Sequence, residues 1–325
     1  MASIKDVARL AGVGPATVSR VLNNTGYVSM KTREQVEAAI RELNYMPNEL
    51  ARNLFRKKAG IIAVLMPNTI HPFFSSFLGY VETELNKKGY KTMICNTTTD
   101  RNSEHEYLDM LDRHIVDGII TDVHNLDIEE YRHINKPIVA LDRYLGKNIP
   151  VVSSDHRTGG RMAAEALIKS GCKRVLHFRE DETYEAPFYE RHREFERLIR
   201  AEGLEYISAM LDLNRFDTKY FNQEVKRIFE TNIDFDGIFG GDMPALACLK
   251  ECLNRGKRVP EEVKIIAYDG TYITNMVVPE VAAIVQPVKE LAEISVEILS
   301  EMLNGIDNFP IHTVLPVSLK LGGTL

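Results

Sequence analysis

Three groups of residues in this chain have types and spacings that could do chemistry. Pro15, Ala16, Thr17, Ser19 and Arg20 combine small side chains with hydrogen-bonders and one cation. Displayed on one helix face, they could come close to base edges and bond bases or phosphates. Phe73, Phe74 and Ser75 follow His71-Pro72; the rings could stack on the apolar face of a sugar, and the hydroxyl and nearby backbone N–H groups could hold its hydroxyls. Asp155 and Asp269 each end a run of mainly apolar residues of strand length. A charge there is poor core filling, and a carboxylate suits bidentate bonding to vicinal hydroxyls. Each group also has a plainer reading: a small helical bundle, core packing for Phe74 (and more so for Phe77), and helix caps for the two aspartates.

Turnover has no support among these residues. The chain has no GxGxxG, no GxxxxGK[ST], no GxSxG and no HExxH, so phosphate cradles and common hydrolytic sites are missing. Cys95, Cys172, Cys248 and Cys252 are scattered. Cys248 and Cys252 could share a helix face, but no His/Cys pair lies near enough in sequence to complete a metal site, so all four read as buried thiols. No enzyme activity, metal or cofactor is expected.

The elements that must position these residues differ along the chain. Ser3 and Asp6 have capping-box spacing, with Ile4, Val7, Ala8 and Ala11 forming an apolar stripe before Gly12 stops the helix. Pro15 suits the first position of a second helix that buries Val18, Val21 and Leu22, with Gly14 a tolerable cap. A third helix, from about Lys31 to Asn44, buries Val36, Ile40 and Leu43. Helix, glycine turn and helix with a small polar outer face fit a major-groove reader. Residues 1–58 hold ten Lys/Arg against five Asp/Glu, a net of +5, which leaves −11 for the rest of a chain of net charge −6. A basic head on an acidic body suits a polyanion touched by the head alone. Pro47 ends this unit, and Asn48 can cap a short helix of Glu49–Phe55 that is marginal without a partner.

From Gly60 the pattern becomes apolar runs alternating with helical stretches. Gly60–Met66, Thr92–Cys95, Gly118–Thr121, Pro137–Leu141 and Val151–Ser153 read as strands, and Phe74–Lys88, Ser103–Ile115 and Ile128–His133 as the helices between them. The alternation restarts at His156 and runs through Arg174–Phe178, Gly237–Phe239 and Val263–Tyr268. This predicts an α/β core of two similar lobes with parallel sheets, behind an all-α helix-turn-helix head. The 26% charged and 44% hydrophobic composition allows a real core. No apolar run approaches the ~20 residues of a membrane helix, and the first 25 residues hold no secretory signal, so a cytoplasmic protein is expected.

The segments Ile4–Val13 and Ala16–Asn23, continuing through Thr32-Arg33, Leu43–Asn48 and Ala51–Leu54, resemble the head and hinge of the LacI/GalR family of repressors. Gly14-Pro15 stands where that family has a serine cap. The resemblance implies double-stranded operator DNA as a partner, read by the second helix including Asn23. It implies paired hinge helices of a homodimer entering the minor groove through Ala51, Arg52, Asn53 and a wedging Leu54. It also implies a two-lobed, periplasmic-binding-protein-like core, with crossings near His156, Val285 and Leu315, and a small molecule in the cleft. The division implied is 1–46 head, 47–59 hinge and linker, and 60–325 core, with one lobe of about 60–155 and 286–314 and the other of about 156–285 and 315–325.

Within that core, Asp155 and Asp269 resemble the family's acidic positions near the ligand. Arg191 matches its ligand-binding arginine, although Glu194 replaces the usual glycine nearby. Asp242 and Gln286 fall near the cleft mouth or a crossing, where each could equally cap a helix or tie down a loop. Phe216 could stack opposite Phe73 or pack in the core. The strings Asn23–Ser29 and Tyr268–Thr271 resemble the sucrose-operon branch, which implies sucrose or a fructose-containing sugar as effector, with ribose next. A solute-binding transport receptor is the different-class alternative; it would need a leader, and it has no use for the head.

Overall fold

The computed structural model describes residues 2–46, 58–97, 103–123, 131, 134, 136–182, 184–213, 215–231 and 233–325. The chain divides between Ala59 and Gly60 into two compact units. Ala51, Arg52, Asn53 and Leu54, and most of the helix expected at Ile128–His133, lie outside the described residues.

In the first unit, α1 (Ile4–Leu10) opens on a reciprocal cap. The Asp6 N–H donates to the Ser3 hydroxyl, and the Ser3 N–H donates to the Asp6 carboxylate at 2.9 Å. α2 (Pro15–Asn23) starts on Pro15 with no side-chain cap at Gly14, and ends on Asn24 in the left-handed region, φ 52°. α3 (Met30–Glu42) is capped by Ser29. Val7, Ala8, Ala11, Val18, Val21, Val36 and Ala39 form its small core.

The second unit holds two six-stranded sheets. The first, in the order β11-β5-β4-β3-β1-β2, comprises β1 (Ile61–Met66), β2 (Lys91–Asn96), β3 (Gly118–Thr121), β4 (Ile138–Leu141), β5 (Val151–Ser154) and β11 (His312–Leu315), all parallel. The second runs β12-β10-β9-β8-β6-β7: β6 (Arg174–Glu180), β7 (Glu205–Leu211), β8 (Gly237–Gly241), β9 (Lys264–Asp269), β10 (Ala282–Val285) and β12 (Ser318–Lys320). Here only β12 is antiparallel. Leaving aside β11 and β12, the two orders are the same, strand for strand. The central strands are apolar on both faces because helices cover both: β1, for example, buries Ile62 to Met66 without a break.

Among the described residues, the helices of this unit are α4 (Pro72–Lys87), α5 (Ser103–Asp112), α6 (His156–Lys169), α7 (Glu190–Ala201), α8 (Thr218–Phe229), α9 (Asp242–Asn254) and α10 (Val288–Leu303). The chain passes between sheets after β5, after β10 and between β11 and β12. In sheets of this order, ligands sit beyond the carboxyl ends of the strands. Pro67, Asp122 and Asp142 follow β1, β3 and β4 there, while Glu180, Leu211, Gly241 and Asp269 end β6, β7, β8 and β9.

Candidate functional site

In the head, α2 presents an exposed face. Pro15, Ala16 and Arg20 are exposed on α2, and Thr17, Ser19 and Asn23 are half-buried at its margin. The Asn23 amide donates to the Ser19 carbonyl at 2.9 Å, which ties the two residues one turn apart. The opposite face, Val18 and Val21, is sealed in the core. The exposed face is low in relief and carries a single cation, which suits close approach to base edges. Tyr27, four residues past the end of α2, is 91% exposed.

In the core, a cavity of about 120 Å³ lies between the lobes. About 10–15 Å³ in this measure is enough to admit a water, so the cavity is roomy enough for a polar ligand much larger than water. Five of the candidates drawn from the core sequence line it and a sixth spans its two walls: Phe73 and Phe74 from the first lobe, Arg191, Phe216 and Asp269 from the second, and Gln286 at a crossing. Phe74 and Phe216 meet edge-on across the lobes at 5.4 Å, and His71 packs on both rings at 5.2 and 5.3 Å.

Asp269 sits at φ 98°, a conformation rare outside glycine. Its carboxylate accepts from Gln286 Nε2 at 2.8 Å, while Ser154 Oγ donates to Gln286 Oε1 at 2.7 Å. Burial pushes the Asp269 carboxyl up to about 6, against the pull of Arg191 and Gln286. The Arg191 guanidinium lies 4.7 Å over the Tyr268 ring and 5.4 Å from Phe188.

Three candidates take other positions. Asp155 caps α6, accepting from the Thr158 N–H at 2.9 Å, and does not line the cavity; its place directly before a helix start turns the carboxylate onto the backbone. Ser75, one turn into α4, gives its hydroxyl to the Pro72 carbonyl at 3.1 Å. Asp242 is fully buried, accepting from the Gly270 and Thr271 N–H groups at 3.0 and 2.7 Å and from the Thr271 hydroxyl at 2.6 Å. It anchors the loop after Asp269 rather than facing the cavity.

The structure adds residues that the sequence reading missed. Asp122 and Asp142 line the first lobe's wall. Burial and the neighbouring Asp142 push Asp122 well above the usual carboxylate range. Asp142, at φ 50°, bonds His156 Nε2 at 2.8 Å, and His156 Nδ1 bonds the Tyr268 hydroxyl at 2.8 Å, joining the lobes. Glu180, His71 and His192 complete the wall. Asp122 and Asp142 follow apolar runs just as Asp155 and Asp269 do, so their signal was present in the sequence. Among the described residues, no group of His, Cys, Asp and Glu is set to hold a metal, and no helix is long and apolar enough to cross a membrane.

Comparison with known proteins bears on both units. The model of the bacterial regulatory proteins of the lacI family matches residues 3–48, and that of the periplasmic binding protein-like domain matches residues 164–325. The sucrose operon repressor of Streptococcus mutans is 40% identical over 99% of both chains. The ribose operon repressor of Halalkalibacterium halodurans is 36% identical over 96% of this chain and 93% of its own. The crystal structure of a periplasmic binding protein/LacI transcriptional regulator from Alkaliphilus metalliredigens, complexed with D-xylulofuranose, is 30% identical. It superposes with a TM-score of 0.71, covering 82% of this chain and 98% of that one.

Proposed function

The chain belongs to the lacI family of bacterial regulatory proteins, and from that premise we propose that it represses a sugar-utilisation operon under the control of a fructose-containing sugar, sucrose foremost, bound in the core cavity. The observation that carries the choice of ligand class is the composition of the cavity wall. Five carboxylic side chains (Asp122, Asp142, Glu180, Asp212 and Asp269) face two guanidinium groups, Arg191 and Arg215, between aromatic rings. A neutral polyhydroxyl ring finds acceptors and stacking faces there, whereas a phosphate meets more negative than positive charge. The relative complexed with D-xylulofuranose holds a ketose in its furanose form, as is the fructosyl ring of sucrose, and a sucrose operon repressor is 40% identical. Ribose is the second reading, favoured by the 36% identity to a ribose operon repressor.

The mechanism proposed is a population shift. α2 of each protomer of a homodimer reads half of a pseudo-palindromic operator through Pro15, Ala16, Thr17, Ser19, Arg20 and Asn23, while Ala51, Arg52, Asn53 and Leu54 supply the hinge contact in the minor groove. The sugar binds the closed lobes more tightly, and closure disfavours the operator-bound arrangement. Fluorescence anisotropy of a labelled fragment from the protein's own promoter, at fixed salt, tests this. Release by sucrose or fructose, and not by phosphorylated sugars, is the expected result. Release by ribose alone would replace the effector, tighter binding with sugar would reverse the sign of control, and no DNA binding at all would overturn the reading.

A further inference from the structure

Two buried polar atoms in the cavity wall, one from each lobe, have no hydrogen-bond partner among the described residues: His71 Nδ1, at the start of α4, and Glu180 Oε2, at the end of β6. Both residues line the same cavity. A sealed donor or acceptor left unpaired is costly, so such atoms mark where a ligand completes the bonding.

The surroundings of Glu180 explain why its oxygen is left over. The nearest ring nitrogen, His192 Nε2 at 3.3 Å, accepts the Arg191 Nε–H at 3.2 Å. With that lone pair engaged, His192 carries its proton on Nδ1 and gives it to His177 Nε2 at 2.8 Å. His177 in turn donates from Nδ1 to the Tyr206 hydroxyl at 2.9 Å. The chain Arg191–His192–His177–Tyr206 thus uses up its protons inside the second lobe and directs none at Oε2. The Arg191 guanidinium in the same wall favours the charged form of Glu180, so the oxygen is a charged acceptor at neutral pH. His71 is neutral there: burial, helped by Arg191 and opposed by Glu180, takes it down to about 4. Its side chain makes no helix-cap bond either.

We propose that Glu180 and His71 are specificity residues that hold hydroxyls of the bound sugar from opposite lobes, Glu180 Oε2 accepting and His71 Nδ1 completing the contact from α4. This rests on the sugar reading of the cavity and extends it to residues outside the aspartate and arginine positions. A ligand lacking the hydroxyl that Glu180 takes leaves a charged oxygen sealed and unpaired, so discrimination is stronger than the loss of one neutral bond.

The test is isothermal titration of the full chain and its E180Q, E180A and H71A variants with sucrose, D-fructose and singly deoxygenated fructoses. The expected loss for the parent sugar is about 10–100-fold in E180A and about tenfold in H71A, from the usual worth of bonds to charged and neutral groups, with E180Q between. One deoxy analogue should bind E180A better than it binds the unaltered chain, because the variant leaves no charged oxygen unpaired. Parent-sugar affinity within twofold of the unaltered chain in E180A and H71A would overturn the proposal. So would an equal loss for every analogue, which marks a structural role through Arg191. If the unaltered chain binds neither sucrose nor fructose, the sugar reading itself fails; failure of the variant arms alone leaves that reading standing.

Discussion

Asp269 combines a backbone in the left-handed region at φ 98° with a carboxylate buried at the floor of the cavity. Such strain persists where the surroundings over-determine it, and here they do. Gln286 holds the side chain, and the Asp242 carboxylate pins the Gly270 and Thr271 amides that follow. Two outcomes follow from the pKa of about 6. Sugar hydroxyls bond best to the ionised form, so affinity for the proposed sugar should fall as pH drops through 6, approaching tenfold per unit below it. Calorimetric titration from pH 5 to 8 reads this, and D269N should be weak and flat across the range; the same slope in the variant would clear Asp269 of the effect. The second outcome concerns stability. The folded pKa lies above the ordinary value of 3.8, so the group's contribution is fully present below 3.8 and is lost as pH rises through 6. At pH 7.5 the sugar-free core therefore carries a burial cost at this one residue. Thermal melts should show D269N more stable than the unaltered chain at pH 7.5, and no more stable at pH 4.

Arg191 owes its height over Tyr268 to two glycines on a neighbouring helix. A Cβ on Gly160 of α6 would stand 2.2 Å from the Arg191 carbonyl oxygen on α7, and one on Gly159 would meet the Tyr268 hydroxyl at 2.7 Å. α6 and α7 therefore pack backbone to backbone. G160A should force them apart, lowering stability by about 1–3 kcal/mol and moving Arg191 off the cavity. A melt and a sugar titration read the two effects; a full retention of sugar affinity would show that the helix spacing does not set the arginine. This close approach was not legible in the sequence, where Gly159-Gly160 is one pair among 20 glycines and its partner lies about 30 residues on. Local signals fared better. The Ser3–Asp6 box, Pro15 at the head of α2 and the apolar runs of β1, β3, β4 and β9 are read from neighbours in sequence, and the structure places elements there. β7, β11 and β12 are edge strands, partly exposed along their length, so no continuous apolar run marks them. At the site, the rule "acid after an apolar strand" found Asp155 and Asp269 alike. It could not separate them, because the same residue type serves a helix start and a ligand wall. Only the chain's direction after the strand decides which.

The lobes are held together by contacts that the protein makes for itself, and on the proposed mechanism these set how sugar and operator are coupled. Phe216, from the loop before α8, packs onto the first lobe's core and against Phe74 and His71. Any contact that exists only in the closed arrangement raises the closed population, and the apparent sugar affinity scales with that population. An aromatic pair contributes about 0.5–1.5 kcal/mol beyond its buried area, so F216A should raise the sugar concentration for half-release of operator by about tenfold. The plateau of release at saturating sugar should stay where it was, because enough sugar restores the closed form. A lowered plateau would instead mean that Phe216 carries the signal toward the head. Stacking on the sugar would shift the midpoint as well, so closure needs a readout of its own. The chain contains no tryptophan, and F216W places a sole indole at the lobe contact. Its emission before sugar is added should be that of an apolar site. Low guanidinium should red-shift it ahead of the global transition, as the lobes part before either one unfolds. If the two transitions coincide, the lobes behave as one rigid body, and control of the operator cannot pass through their closure.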